Sequence, residues 1–255
     1  MYVFSFTKKK IKRLLYAVLL LLAGAVIGIY AVISCIDVGA AEEKLPIYSV
    51  DCGEEKKIAL TFDAAWGNSD TQHLLDTLEA RGVKATFFVT GEWADKYPED
   101  VKRLFDSGHE IANHSDAHPH PNELGISELI SDTRACRNKI EKITGKTPEL
   151  YRAPYGEYND TVVETVNGMG YSFVQWSVDS LDWKDPTPDE IVKRVVRKAH
   201  NGAILLFHND KENTDAAIDR VIEELQNQGY SFVTAGELIY REGFSIDANG
   251  VQHKN

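Results

Sequence analysis

A chain of 255 residues, 43% hydrophobic and 26% charged, has a globular composition and room for one barrel or two small domains around a sizeable core. The formal charge is −11, and because residues 1–13 contribute +5 the remainder carries −16, which excludes the electrostatic footprint of a nucleic-acid binder. Beyond the N-terminal apolar run only Cys52 and Cys136 remain, too few for a disulfide framework, and the sequence leaves open whether they pair.

In chain order, residues 1–13 form a basic tail with Lys8, Lys9, Lys10, Lys12 and Arg13 and no acid. Residues 14–36 are an uncharged apolar run of a length that spans a bilayer as a helix. The basic flank before it, and Asp37, Glu42 and Glu43 after it, place the tail in the cytoplasm and the rest of the chain outside. The expectation is a single-pass cell-membrane anchor with an extracytoplasmic domain. Two alternatives stay open: cleavage at Val38-Gly39-Ala40, which secretes the domain, and processing at Val32-Ile33-Ser34-Cys35, which leaves it lipid-anchored at Cys35.

Residues 37–53 read as a linker, and 54–243 as a domain in which apolar, β-branched runs alternate with helix-period segments. Strands are predicted at 57–62, 84–89, 110–113, 149–152, 172–178, 203–207 and 231–234. Helices are predicted at 71–80, 99–106, 123–143, 160–166, 188–199, 214–226 and 235–240. Gly82, Gly108, Gly145, Gly170, Gly202 and Gly229 each stand between a helix and the next strand, where a left-handed helix stop favours glycine. Strict alternation of this kind predicts a parallel sheet with crossover helices, in seven β/α units. A doubly wound open sheet is the alternative. Residues 244–255 read as a polar, loose tail.

Five polar fragments follow the apolar runs: Thr61-Phe62-Asp63, His114-Ser115-Asp116-Ala117-His118, Arg152-Ala153-Pro154-Tyr155-Gly156, Asp179-Ser180-Leu181-Asp182-Trp183 and Leu206-Phe207-His208. Strand ends are where a barrel gathers sequence-distant residues into one site. On a helical turn, His114 and His118 would project from one face and reach the same ion. Asp63 alone would pass for a turn or capping aspartate. His208 follows a run too apolar to be half exposed, so its imidazole is delivered at a strand end. Trp66, Trp176 and Trp183 suit either sugar stacking or packing.

Taken in order, these fragments resemble the motifs of the polysaccharide deacetylases, the NodB-homology or carbohydrate esterase family four fold, over roughly Lys57 to Arg241. The resemblance implies an α/β fold, an incomplete TIM-like (β/α)7 barrel behind the transmembrane or signal segment, that removes N-acetyl groups from amino sugars. It assigns Asp63 as general base, Arg152 as the partner that orients it, the Tyr155 backbone N–H to the oxyanion, and His208 as general acid. It makes Asp179 the carboxylate that orients His208 and raises its pKa, and His114 and His118 the ligands of a divalent metal, Zn or Co. The implied partner is an acetylated amino-sugar polymer such as peptidoglycan, met by a monomer. The Thr-Phe-Asp-Ala-Ala-Trp-Gly stretch looks like the branch associated with bacterial spore formation.

One position departs from the family pattern: Ala64 stands where a second, metal-binding aspartate is usual. Two histidines and water hold zinc less well than two histidines and a carboxylate. Asn68, Asp70 or Asp116 are candidates to replace the lost donor. The matching Asp63, Arg152, Asp179 and His208 favour a hydrolase; the missing ligand supports the alternative, a glycan-binding or structural protein of the cell envelope.

Overall fold

The computed structural model describes Lys44–Asn255 and, ahead of them, helical positions scattered between Lys8 and Gly24. The chain divides into two units, Met1–Glu43 and Lys44–Asn255. Among the described residues no helix is long and apolar enough to cross a membrane. Most of the run 14–36 and both processing sites lie outside the described residues.

The second unit holds eleven strands: β1 (Ser49–Val50), β2 (Lys57–Ala64), β3 (Thr86–Val89), β4 (Glu110–Asn113), β5 (Leu150–Tyr151), β6 (Ser172–Phe173), β7 (Val178–Asp179), β8 (Ile204–His208), β9 (Ser231–Val233), β10 (Phe244–Ile246) and β11 (Val251–Lys254). The main sheet runs β6-β5-β4-β3-β2-β8-β7, all parallel, with β9 beside the first half of β2. β6 and β7 occupy opposite edges although only Val174–Ser177 lies between them. Flat, seven strands would set those edges about 29 Å apart, whereas that link reaches at most about 18 Å. The sheet therefore curls and brings its two edges towards each other without pairing them, which is the incomplete (β/α)7 barrel and excludes the open doubly wound alternative. It also explains why 172–178 is two short strands rather than the single one predicted.

Alternation along β2 sorts its side chains into layers. Ile58, Leu60, Phe62 and Ala64 join the apolar cluster that includes Leu74 and Leu78 of the helix Thr71–Ala80 and Ile218 and Val221 of the helix Glu212–Asn227. Ala59 faces the other way, into a cluster with Phe88, Ala112 and Ile204. Thr61 and Asp63 follow Ala59 at the two-residue strand period, so they continue the inward row toward the C-terminal rim.

All six helix-to-strand glycines adopt positive φ, as their placement predicts. Gly202 has a further constraint: at φ +73 a Cβ would fall 1.6 Å from the Val50 carbonyl oxygen, and Val50 N–H donates to the Gly202 carbonyl.

Two boundaries differ from expectation. The domain begins at Lys44 rather than 54, because Ile47 bridges Val174 and β1 pairs with β11. The expected loose tail is instead the hairpin β10–β11, held by ladder pairing and by the buried Gln252, whose side chain bonds Tyr240 N–H and C=O. Its partner strand lies some two hundred residues upstream, so no local signal announces it.

Candidate active site

Asp63 ends the inward row of β2, His114 and Arg152 follow β4 and β5, Asp179 ends β7 and His208 ends β8. These C-terminal rims surround one cavity of about 430 Å³, walled also by Trp66, His118, Tyr155, Trp176 and Trp183.

Asp63 is 4% exposed, and its Oδ1 accepts a 2.7 Å hydrogen bond from Arg152 Nη1. Arg152 is fully buried; it also donates to Thr61 Oγ1 (2.9 Å) and the Gln175 carbonyl (2.9 Å), with its guanidinium carbon 4.0 Å above the Phe88 ring. Burial alone would raise the Asp63 carboxyl, but the Arg152 charge, helped by His114 and His208, holds it below the usual carboxylate range. Arg152 thus meets Asp63 directly, and its charge favours the ionised carboxylate.

His208 shows the opposite shift. Burial is the largest single influence and disfavours its charged form, yet a 2.6 Å bond from Nδ1 to Asp182 Oδ1, together with the charges of Asp182, Asp63 and Asp179, raises the imidazole pKa above its ordinary value. The orienting carboxylate is therefore Asp182 and not the expected Asp179. Asp182 Oδ2 accepts from the His208 N–H (2.8 Å) and from Thr214 Oγ1, which fixes the carboxylate from both sides. Asp179 instead accepts the Leu181 N–H at 2.8 Å and lines the cavity. Between the two acids Leu181 takes a left-handed conformation (φ 57), which reverses the chain and turns Asp182 onto His208. Both aspartates lie in one fragment, three residues apart, so a turn between them was the signal available in the sequence.

The histidine pair comes together without a helix. His114 and His118 sit on the loop after β4, their ring centroids 5.0 Å apart, with Ser115 (φ 72) and His118 (φ 55) in left-handed conformations. Asn113 Oδ1 accepts the Ser115 N–H (2.9 Å) and Ser115 Oγ the His118 N–H (3.1 Å), so side chains take over bonds that a helix would have supplied. His114 Nδ1 lies 2.9 Å from the Arg152 carbonyl, which can only accept, so that nitrogen carries the proton and Nε2 is left bare. Nε2 lies 3.5 Å from Asp63 Oδ2. Burial lowers the pKa of His114, and that of His118 to about 4, so both rings are neutral at pH 7.

Neutral imidazoles, one oriented through its far nitrogen, are the form that ligates metals. The third donor is missing. Ala64 belongs to the outer apolar layer and is 1% exposed. None of the three proposed substitutes lines the cavity: Asn68 donates to Asp100, Asp70 accepts from the Asp210 N–H, and Asp116 pairs with Lys139 at 2.7 Å. Among the described residues no group of three or more His, Cys, Asp or Glu side chains is arranged to hold a metal. The donor set thus falls one ligand short of the three protein ligands of a catalytic zinc site.

Tyr155 has φ 59 in the turn Pro154–Gly156. The Gly156 and Glu157 N–H groups are used inside that turn, while the Tyr155 N–H is not. Its ring is stacked on His120 at 4.2 Å and edge-on to His118 at 4.6 Å, which gives His120 a packing role. Trp66 lies edge-on to His208 at 5.7 Å and 6.1 Å from His118, so the loop after Ala64 supplies an indole wall. Asn209 clamps that loop: its Oδ1 accepts from Ala65 N–H (3.3 Å) and its Nδ2 donates to the Gly67 carbonyl (2.6 Å). Cys52 and Cys136 are unbridged.

The parallel α/β barrel thus sets an Asp63–Arg152 pair and a His208–Asp182 pair around one cavity at its C-terminal rim. The family model of polysaccharide deacetylase matches residues 51–174. The peptidoglycan-N-acetylmuramic acid deacetylase PdaA of Bacillus subtilis is 34% identical over 204 residues, 78% of each chain. The chain belongs to the polysaccharide deacetylase family. The peptidoglycan-N-acetylglucosamine deacetylase PgdA of Listeria monocytogenes is 39% identical over 191 residues, 75% of this chain but 40% of that protein, so the match spans less than half of its length. Among solved structures, a CE4 family pseudoenzyme from Bacillus anthracis superposes with a TM-score of 0.74 at 33% identity, covering 83% of this chain and 73% of that one. A mutant of that pseudoenzyme with restored enzymatic activity gives 0.74 at 35%, covering 77% and 72%.

Proposed function

We propose that the chain is a peptidoglycan N-deacetylase whose domain works outside the cytoplasm, held at the membrane by residues 14–36. The observation that carries the reading is the pairing of Asp63 with Arg152 and of His208 with Asp182 around one cavity. The names of the relatives support the substrate class, and the basic flank and apolar run support the location. The spore-associated look of the Thr61–Gly67 stretch suggests a role in spore formation, and a monomer suffices, since every proposed reacting group comes from one chain.

In this reading water attacks the acetamide carbonyl as Asp63 takes its proton, and the Tyr155 N–H donates to the oxyanion. Collapse breaks the C–N bond while His208 gives its proton to the departing amine, leaving acetate and a free amino sugar. A raised His208 pKa keeps that proton available near neutral pH, and a depressed Asp63 pKa keeps the base ionised beside it. Two neutral imidazoles are present for a divalent ion, but with no third ligand no step is assigned to one.

A second reading, a glycan-binding family member without catalysis, is favoured by Ala64. Metal content and acetate release measured together on the full chain with acetylated peptidoglycan decide between them. The deacetylase reading expects acetate above the level of a His208→Ala variant; binding without acetate, with and without added Zn²⁺, establishes the second.

A further inference from the structure

The unit Lys44–Asn255 is acidic, yet one groove of about 420 Å³ on its surface is lined by Lys184, Lys193, Arg194 and Arg197 against one acid, Glu190. Glu190 is already committed: its carboxylate accepts from the Thr187 N–H and hydroxyl in the capping box that starts the helix Pro188–Lys198. Lys193, Arg194 and Arg197 fall on one side of that helix, while Ile191, Val192 and Val195 are buried on the other. No ion pair among the described residues engages the four cations. By contrast Arg81, Lys139 and Arg220 each meet a carboxylate. Four cations without an ion-pair partner against one carboxylate, with Arg194 also feeling the charge of Asp179, leave the depression net positive and make it a receptor for negative charge.

The groove adjoins the cavity. Leu181 and Lys184, which line it, flank Asp182 and Trp183, the residues that orient His208 and wall the cavity, and Lys184 Nζ lies 4.6 Å over the Trp183 ring. An anionic chain meets net repulsion from a domain of this charge, so a local positive groove favours one place and register for it.

We propose that this groove receives carboxylates carried by the glycan, so that the strand threaded past the cavity is an anionic, muramic-acid-bearing one rather than a neutral chitin-like chain. The carboxylate comes either from the lactyl ether on the sugar or from a peptide stem. The inference rests on the deacetylase reading for its choice of polymer, but its test does not depend on acetate release.

Binding of the full-length chain is measured at low salt and at 0.5 M salt to peptide-free muramic-acid glycan strands, to stem-bearing strands, and to neutral chito-oligosaccharides of equal length, for wild type and Lys193→Gln/Arg197→Gln. Both positions are exposed, and Lys193→Arg/Arg197→Lys serves as the charge-conserving control. Wild type is expected to prefer carboxylated strands by about tenfold, since one exposed cation contributes roughly a two- to fivefold effect. The double Gln variant, or high salt, should remove most of that preference, leave chito-oligosaccharide binding unchanged, and be rescued by the charge-conserving pair. Preference retained on peptide-free strands identifies the lactyl group; preference confined to stem-bearing strands identifies the stem. Equal affinity of wild type and double variant for carboxylated strands overturns the proposal. If the preference is seen but acetate is never released, the deacetylase reading fails and the groove assignment stands.

Discussion

The two halves of the cavity were built to different degrees of completion. On the Asp63 and His208 side, each titratable group has a buried partner of opposite charge that shifts its pKa in the direction its proposed task needs. On the His114 and His118 side, two neutral rings face the cavity from a strained loop, and Ala64 at the neighbouring strand end offers no donor, its methyl lying in the outer apolar layer. A proton-transfer pair can thus be complete while the ligand set beside it is not, because the first depends on buried ion pairs within the barrel and the second on a single side chain at position 64.

The largest expected effect breaks the complete half. Asp63→Asn and His208→Ala should each lower acetate release by about a hundredfold to ten-thousandfold, the usual cost of losing a general base or acid. Wild-type rates in both variants would remove the proton-transfer assignment.

Arg152→Ala leaves the Asp63 carboxylate buried without its counter-charge, and breaking such a pair costs about 3–5 kcal/mol. Urea unfolding at pH 7 should show that loss. It should shrink in acid, because a depressed carboxyl pKa contributes stability that is present above the unfolded value of about 3.9 and lost as pH falls through the folded one.

The His208 partner is tested by comparing Asp182→Asn with Asp179→Asn. Following the His208 ring protons by NMR, the first should lower its pKa and the second should move it less, since the short bond runs to Asp182. A raised histidine pKa contributes stability present below its ordinary value and lost as pH rises through the folded one, so Asp182→Asn should also flatten the fall in stability on the alkaline side. A larger shift from Asp179→Asn would restore the original assignment.

The smallest effect sharpens the incomplete half. Ala64→Asp should tighten Zn²⁺ binding by about tenfold or more, the scale on which affinity responds even to an outer partner of a ligand, and His114→Ala in that background should undo the gain. Without metal the same substitution should destabilise the domain, because it puts a carboxylate where Ala64 packs against apolar neighbours. Calorimetric titration showing equal metal affinity in all three proteins would mean that the histidines are not ligands.

The amino-acid sequence alone determined the alternation of strands and helices, the glycine at each helix stop, and the delivery of Asp63, Arg152 and His208 to strand ends, since these rest on periodicity and local backbone preference. It also determined the absence of a second aspartate. Only the tertiary structure decided which of Asp179 and Asp182 meets His208, because a left-handed Leu181 reverses the chain between them. It likewise decided that His114 and His118 meet on a side-chain-braced loop, and that residues 44–53 and 244–255 form one small sheet rather than linker and tail. Pairing across two hundred residues leaves no mark on either segment alone. The cavity took its composition from local strand ends, and its hydrogen-bond partners from the curl that brought those ends around one opening.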